Sequence, residues 1–225
     1  MNYGPKTITN GLVLYLDAAN TKSYPGSGTA WTDLSGNGNT GTLTNGPTFS
    51  DGNQGSIVFD GVNDYVINSS TNSIPVGSSS RTIQIWAYPA TTTNVFVQIG
   101  NSNPRYVFEY IFSAGQYYIF SDGVNTANNI SISGTQLPTL NNWNHLVFGN
   151  SGQNWFYYKN GIQQSSGTFS VTLNTVGQAY VLANRNDVGG YNMNGRISNV
   201  QIYNTALSAT EVLQNYNATK SRFGL

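Results

Sequence analysis

The sequence predicts an all-β protein, an antiparallel sandwich or barrel with one short helix near its C-terminus. From Arg81 onward, short segments rich in Val, Ile, Phe and Tyr recur every roughly 8 to 15 residues, and turn-forming residues separate them. Lys159-Asn160-Gly161 is a strong hairpin signal, because Asn-Gly accepts the positive φ angles of a tight turn. The length of 225 residues suits a single sandwich, and neither an internal repeat nor a linker divides the chain.

The stretch from Met193 to Phe223 predicts a closing strand, a corner and a short helix. Val200 and Ile202 alternate with polar neighbours, as a half-buried strand requires, whereas Ile197 is one residue out of phase. A β-bulge near Ser198 and Asn199 would restore the alternation, and we expect one there.

The helix is predicted to begin immediately after Ser208. Ser208 and Glu211 have the spacing of a capping box, and Leu207 and Val212 are placed to form the hydrophobic staple beside it. About two turns of helix follow, too short to be stable alone, so the helix must dock on the sandwich. The face expected to make that contact consists of Val212, Leu213 and Tyr216.

The N-terminal half predicts fewer strands and one long loop. Residues 12–16 are apolar throughout, which predicts a central strand covered on both faces. Residues 18–47 contain few apolar side chains and read as a long loop, a type of segment that often carries function. The segment SIVFDGVNDYVIN predicts two short strands around a Gly turn, with Val58, Tyr65 and Ile67 facing inward.

Composition excludes several classes of protein. The nine Lys and Arg balance the nine Asp and Glu, and charged residues make up only 8% of the chain. Because the basic residues are scattered, the sequence indicates neither a nucleic-acid groove nor a polybasic membrane patch. There is no cysteine, so disulfides and thiolate chemistry are excluded, and no apolar run is long enough to span a membrane.

Several motifs together resemble a known family. They are WTDLSGNGNTGTL, SIVFDGVNDYV, TIQIWAYP, WNHLVF, WFYYKNGIQ and GRISNVQIYNTALSATEV. The chain resembles laminin-G-like domains of the concanavalin A-like jelly-roll superfamily, which includes the pentraxins, and is most similar to copies in structural proteins of tailed bacteriophages. The resemblance implies two facing antiparallel sheets in a jelly roll. It divides the chain into an N-terminal arm at 1–10, the domain at 11–216 and a C-terminal tail at 217–225.

Members of this family mostly bind sugars or proteins, often with calcium, and a minority are glycoside hydrolases. Hydrolysis requires two carboxylates facing each other across the sugar. The two glutamates are Glu211, which the capping box explains, and Glu109, which lies alone in its strand without the paired acidic pattern of the hydrolases. The only histidine, His145, lies in the strand motif WNHLVF and is interpreted as structural. The sequence therefore predicts a protein that is not an enzyme.

Two loops could hold calcium. In Asp33-Leu34-Ser35-Gly36-Asn37-Gly38, oxygen-bearing side chains alternate and a Gly follows, as in calcium loops, but Thr44 stands where an EF-hand requires Glu. The second loop contains Asn184, Asn186 and Asp187, at the place where the resemblance to pentraxins implies calcium ligands. Asp60 and Asp64 would join this second set if the loops converge. The alternative for both loops is that these side chains bond to their own turn backbones.

Aromatic side chains are the candidate sugar-binding groups. Trp31 lies in the long loop and is the best candidate for an exposed platform, although it could instead hold that loop in place. Tyr191, beside two glycines, is the next candidate. Trp86, Trp143 and Trp155 follow strand patterns and are expected in the core.

The predicted function is a non-enzymatic module of the virion surface, a capsid decoration or a fibre or adhesion protein, that binds glycans as a lectin does. The alternative is a purely structural capsid or tail component without a ligand, and a glycoside hydrolase is a third reading. Expected partners are other virion proteins, further copies of the chain and a cell-surface glycan, with no nucleic acid and no membrane. The first residues lack the apolar core of a signal peptide. We therefore expect synthesis in the host cytoplasm, assembly into the virion through the two terminal segments, and an extracellular location on release.

Overall fold

The computed structural model describes residues 5–68, 73–100, 106–113, 116–121, 128–177, 179–185 and 191–225, and in 108–113 and 116–121 only the backbone. These residues form sixteen strands, one α-helix and short 3-10 helices. The strands are β1 Leu12–Asp17, β2 Ala30–Trp31, β3 Gly41–Thr44, β4 Thr48–Ser50, β5 Ser56–Asp60, β6 Tyr65–Asn68, β7 Arg81–Pro89, β8 Thr93–Ile99, β9 Tyr106–Ser113, β10 Gln116–Ser121, β11 Ser131–Ile132, β12 Asn144–Ser151, β13 Asn154–Lys159, β14 Ile162–Thr168, β15 Tyr180–Leu182 and β16 Asn194–Tyr203. The helices are α1 Ala209–Thr219 and 3-10 helices at Gly52–Gln54, Gly134–Gln136 and Lys220–Phe223.

The strands form two antiparallel sheets that face each other. The first sheet has the order β14-β13-β12-β7-β16-β5-β4, with β1 also paired to β16, and the second has the order β11-β10-β9-β8-β15-β6-β3-β2. The main apolar core lies between them, and a smaller cluster lies under α1 on the outer face of the first sheet. The predicted fold class, an all-β jelly-roll sandwich with one short C-terminal helix, is confirmed. Among the described residues, no helix has the length and apolar character needed to cross a membrane.

Strand β16 is the centre of the first sheet. One edge pairs with β7, and the other pairs first with β5 and then with β1. The register with β7 shifts between Ile197 and Asn199, which confirms the predicted bulge. Ser198, the extra residue, is buried and donates its hydroxyl to the Gly55 carbonyl at 2.7 Å. The bulge therefore places a polar side chain where it links β16 to the turn before β5.

Strand β1 is buried, but the prediction that it is central was wrong. Within the described part of the chain it pairs only with β16. The loop containing Asp33 covers its other edge, because Asp33 Oδ1 accepts the Tyr15 amide at 2.9 Å and Tyr15 O accepts the Leu34 amide at 2.8 Å. A loop thus satisfies the free edge that a neighbouring strand would otherwise pair.

The phase predicted for β5 and β6, which a turn joins but which belong to different sheets, was also wrong. Ile57, Phe59 and Val66 are buried in the core, whereas Val58, Tyr65 and Ile67 are half-buried on the opposite faces of their strands. Both strands carry apolar residues on both faces, so periodicity alone could not decide which face meets the other sheet.

The N-terminus of α1 confirms the predicted cap. Ser208 Oγ accepts the Glu211 amide at 3.3 Å, and the Glu211 carboxylate accepts the Ser208 amide at 2.8 Å. Leu207 and Val212 are both buried in the smaller cluster, as the hydrophobic staple requires. The predicted apolar face was partly wrong, because Leu213 is 45% exposed.

Asn215 occupies the buried position expected for an apolar residue of α1. Its Nδ2 donates to Gln84 Oε1 and to the Tyr203 hydroxyl, each at 3.1 Å, and its Oδ1 accepts the Ile8 amide at 2.7 Å. Tyr203 in turn donates to the Ile8 carbonyl at 3.0 Å. The helix therefore docks through a satisfied polar network, which also fixes the described part of the N-terminal arm to the domain.

The C-terminal segment 217–225 packs on the domain. The helix continues to Thr219, whose hydroxyl accepts the Trp86 indole N–H at 2.8 Å. Phe223 is 8% exposed and stacks on Trp86 with ring centroids 4.0 Å apart, and Arg222 forms an ion pair with Asp17 at 3.1 Å. The division predicted at residue 216 stays a prediction, and in the structure Phe223 beyond it packs against the first sheet.

Candidate functional site

The two acidic residues at the turn between β5 and β6 bind that turn's own backbone. Asp60 Oδ1 accepts the amides of Val62 at 2.7 Å and Asn63 at 3.4 Å, and Asp64 Oδ2 accepts the Asp60 amide at 3.1 Å. Burial raises the pKa of Asp64, and the hydrogen bond from the Asp60 amide offsets part of this increase. This geometry matches the alternative in which the carboxylates organise the turn.

The two loops named as a possible calcium site do converge. Asn192 donates its amide to the Val62 carbonyl, and Leu182 pairs with Val66, so Asn184 follows β15 at the end of the sheet where β6 begins. The amide oxygen of Asn184 accepts the Arg185 amide at 2.6 Å. Asn186 and Asp187 lie outside the described residues. Within the described residues, no group of three or more His, Cys, Asp or Glu could hold a metal ion, so calcium at this end stays a prediction.

Asp33 lies at the opposite end of the second sheet and serves its own loop. One carboxylate oxygen accepts the amides of Tyr15 and Ser35, each at 2.9 Å. The other accepts the Ser35 hydroxyl at 2.8 Å and the Asn39 amide at 2.9 Å. Four protein donors thus surround this carboxylate, and the loop covers the edge of β1.

Trp31 is not an exposed platform. It lies in β2, pairs with Gly41 of β3, and is completely buried in the main core. The indole turns inward because the long loop folds back as a strand at the edge of the second sheet. Tyr191, the other predicted aromatic, is half-buried, and the guanidinium of Arg185 lies 5.0 Å from its ring centroid.

His145 is packed in the interior of the protein, in surroundings typical of a structural residue. The ring is fully buried between Trp86 and Tyr216, with centroids at 5.1 and 5.6 Å, and neither ring nitrogen bonds to a described residue. Burial lowers the pKa of His145 from 6.5 to about 3. The imidazole is therefore neutral at physiological pH and closed off beneath α1.

A cleft of about 330 Å³ at the edge of the sandwich combines an aromatic ring with uncharged polar groups. It lies between residues 128–131, which lead into β11, and residues 165–170 at the end of β14, with Trp155 of β13 in its wall. We call it the Trp155 cleft. Its polar lining consists of Asn128, Asn129, Ser131, Ser165, Ser166, Thr168 and Ser170.

Neighbouring residues hold the Trp155 ring in place. It stacks on Phe148 with centroids 6.3 Å apart and planes at 23°. On the adjacent strand, a Cβ at Gly167 would lie 2.8 Å from Trp155 Cζ2, so only glycine lets the indole lie against β14. The residue is half-buried, which leaves part of the ring facing the cleft.

The amides of the cleft differ in what they can bind. Asn128 is fixed, because its Nδ2 donates to Val171 O at 3.0 Å and its Oδ1 accepts the Val171 amide at 3.1 Å. Asn129 Oδ1 is buried and has no hydrogen-bond partner among the described residues. Sequence reasoning missed this cleft because Trp155 follows a strand pattern and was expected in the core. The run of hydroxyl side chains at 165–170 was the available signal.

Two facing antiparallel sheets with an aromatic-walled, uncharged cleft define a lectin-like β-sandwich. The chain belongs to the Laminin_G_3 family of the concanavalin A-like lectin/glucanases superfamily, whose family model matches residues 59–213. No curated protein matches the sequence.

Among solved structures, the chain is similar to domain 4 of AbnA, a GH43 extracellular arabinanase from Geobacillus stearothermophilus in complex with arabinotriose. That match has 18% identity and a TM-score of 0.69 and covers 91% of this chain and 98% of that domain. Trypanosoma rangeli sialidase in complex with sialic acid matches at 14% identity and TM-score 0.68, over 94% of this chain and 33% of the sialidase. The binding domain of Paraclostridial Mosquitocidal Protein 1 matches at 18% identity and a TM-score of 0.68, over 93% of this chain and 52% of that chain. At these identities the likeness concerns the fold.

Proposed function

We propose that this chain is a non-enzymatic module that binds glycans in the Trp155 cleft. The observation that carries the proposal is the combination of one held indole face with a lining of hydroxyls and amides. Sugar rings have apolar C–H faces that pack on aromatic rings and hydroxyls that need both donors and acceptors. A cleft of about 330 Å³ lies at the small end of ligand sites and suits one or two sugar units.

The charge of the cleft favours a neutral sugar. Its lining contains neither an acidic nor a basic side chain. Binding should therefore depend weakly on salt, because no screened charge pair contributes to it. The arabinotriose complex of domain 4 of AbnA supports a saccharide as the class of ligand.

A glycan array of neutral oligosaccharides followed by calorimetry tests the proposal. Trp155→Ala should abolish binding of the array hits, whereas Ile162→Ala, on exposed surface of β14, should leave it unchanged. Binding should also change the fluorescence of wild-type protein. Unaltered affinity of the Trp155→Ala variant, or an array without hits, would overturn the assignment.

Absence of hydrolysis is part of the same proposal. Glu211 caps α1, Asp33 binds the loop over β1, and Asp60 binds its own turn. A glycosidase would need two facing carboxylates about 5 to 10 Å apart. Incubating the array hits with protein and measuring new reducing ends tests this directly, and sustained release of reducing sugar would contradict it.

The location we infer for this module is the virion surface, where it displays its cleft as a capsid decoration or as part of a fibre. The low charge and the phage resemblance described above support this location. Antibody labelling of purified particles should place the chain on their surface. If purified particles do not contain the chain, the proposed virion location is wrong. Incorporation without any glycan binding would instead favour the purely structural alternative.

A further inference from the structure

A second cavity, of about 290 Å³, lies on the outer face of the first sheet beside the area covered by α1. Tyr88 of β7 and Arg196 of β16 form its floor, and the side chains of Asn141 and Asn194 stand at its rim. We call it the Arg196 pocket. It shares no residue with the Trp155 cleft and lies on different strands.

Arg196 has hydrogen-bonding capacity that the protein does not use. Its guanidinium carbon lies 5.4 Å from the centroid of the Tyr88 ring, and its side chain makes no hydrogen bond or ion pair with the described residues. Other arginines are occupied: Arg222 pairs with Asp17, and Arg81 donates to three protein oxygens. A guanidinium held on an aromatic face with free N–H groups is prepared to receive an acceptor.

The backbone around Arg196 fixes this geometry. Arg196 pairs directly with Tyr88, and the preceding residue, Gly195, has φ 153°. A Cβ at Gly195 would lie only 2.2 Å from the Tyr88 carbonyl oxygen, so glycine is required for β16 to approach β7 here. The close approach places the guanidinium over its neighbour's ring and leaves its outer edge facing the pocket.

Two amides extend the polar rim. Asn141 and Asn194 are exposed, and neither side chain has a hydrogen-bond partner among the described residues. Asn141 is held at the rim by its backbone amide, which donates to the Pro89 carbonyl at 2.9 Å. Trp143 packs edge-on against Tyr88 with centroids 5.7 Å apart and widens the aromatic surface.

We infer that the Arg196 pocket binds a sugar acid through its carboxylate. The planar fork of a guanidinium matches the two coplanar oxygens of a carboxylate, the amides suit the ring hydroxyls, and Tyr88 suits an apolar ring face. Asp60 lies diagonally across the strand pair from Arg196, with its carboxylate turned to the amides of Val62 and Asn63. Its negative charge disfavours polyanions, so the ligand is a monoanion.

The test uses D-glucuronate and its neutral analogue D-glucuronamide as probes. Titration of labelled protein, followed by amide chemical shifts, should show glucuronate perturbing residues around 88 and 196. Glucuronamide should bind at least roughly tenfold more weakly, because a hydrogen bond to a charged group is lost. Affinity for glucuronate should fall as salt rises, since the pair is partly exposed.

Variants separate this site from other sources of binding. Arg196→Gln should remove glucuronate binding and Arg196→Lys should restore only part of it, whereas Arg185→Gln, which alters another Arg that lies over a Tyr ring, should not affect it. Both Arg196 variants should stay close to the wild-type melting temperature, because the side chain makes no hydrogen bond or ion pair with a described residue and its contact with the Tyr88 ring is partly exposed. Equal binding of the two probes, or full binding by Arg196→Gln, would overturn the inference.

The two proposed binding sites can be tested independently of each other. Trp155→Ala should still bind glucuronate, and Arg196→Gln should still bind the neutral array hits. Loss of glucuronate binding in Trp155→Ala with retention in Arg196→Gln would assign the acid to the Trp155 cleft and refute the second site.

Discussion

The single histidine predicts how the stability of the whole domain depends on pH. His145 is buried beneath α1, and burial lowers its pKa from 6.5 to about 3. In the unfolded chain the imidazole takes up a proton as the pH falls below 6.5, whereas in the folded chain it stays neutral until about pH 3. The unfolded state therefore binds more protons in this range, and acid destabilises the fold.

The loss of stability in acid can be calculated from the lowered pKa of His145. Each pH unit below 6.5 should lower the free energy of unfolding by about 1.4 kcal/mol, or about 2 kcal/mol by pH 5. The loss of stability is nearly absent at neutral pH. It continues to grow until the pH falls to the pKa of His145 in the folded protein. Most carboxylates ionise below pH 5, so His145 dominates the upper part of the range.

Urea unfolding at pH 7, 6 and 5 and constant ionic strength measures this loss, with tryptophan fluorescence as the signal. The matched variant is His145→Leu, which keeps an apolar group of similar size between Trp86 and Tyr216 and cannot titrate. Wild type should lose about 2 kcal/mol between pH 7 and pH 5, and the variant almost none of it. A variant with the same pH slope as wild type would refute this reasoning, as would a histidine NMR signal that titrates near pH 6.5 in the folded protein.

Three further outcomes are expected. Ser208→Ala should destabilise the domain by about 1 kcal/mol, because it removes the hydroxyl that accepts the Glu211 amide and donates to the Glu211 carboxylate; an unchanged denaturation midpoint would mean that this cap contributes nothing. Phe223→Ala should cost about 3 kcal/mol by removing the ring stacked on Trp86, while Leu225→Ala, at 48% exposure, should cost little; equal midpoints for the two variants would contradict the packing argument. If calcium binds the loops beside the turn between β5 and β6, chelation should lower the melting temperature and Asp187→Ala should abolish the response, whereas identical curves with chelator and calcium would exclude the site.

The described N-terminal segment docks on the domain, so deleting it should lower the stability of the fold. Ile8 is bonded to Asn215 and Tyr203, so deletion of residues 1–9 removes contacts that help hold α1 on the sheet. The sequence suggested an arm free to order on a partner, because short polar ends with one or two apolar anchors often do so. In the structure, the partner of this segment is the domain's own helix.

Short-range features were predictable from the sequence because neighbouring residues determine them. The Ser208–Glu211 box depends on residues three positions apart, and the tight turn at Asn160 and Gly161 depends on two φ angles, observed at 52° and 76°. The bulge at Ser198 followed from a break in a period of two. The fold class followed from the spacing of many short strand segments, and the family followed from the resemblance that several sequence motifs carry.

Features that depend on which surfaces meet were decided only by the tertiary structure. Trp31 and Trp155 each lie in a strand, yet the first is buried at a sheet edge and the second forms the wall of a cleft. Asn215 is buried and Leu213 exposed, because a polar network on the sheet below supplies partners for an amide. The Arg196 pocket exists because Gly195 lets two distant strands approach. Sequence pattern gives each residue a preference, but the partner brought by long-range pairing decides whether that preference is satisfied in the core, under the helix or at the surface.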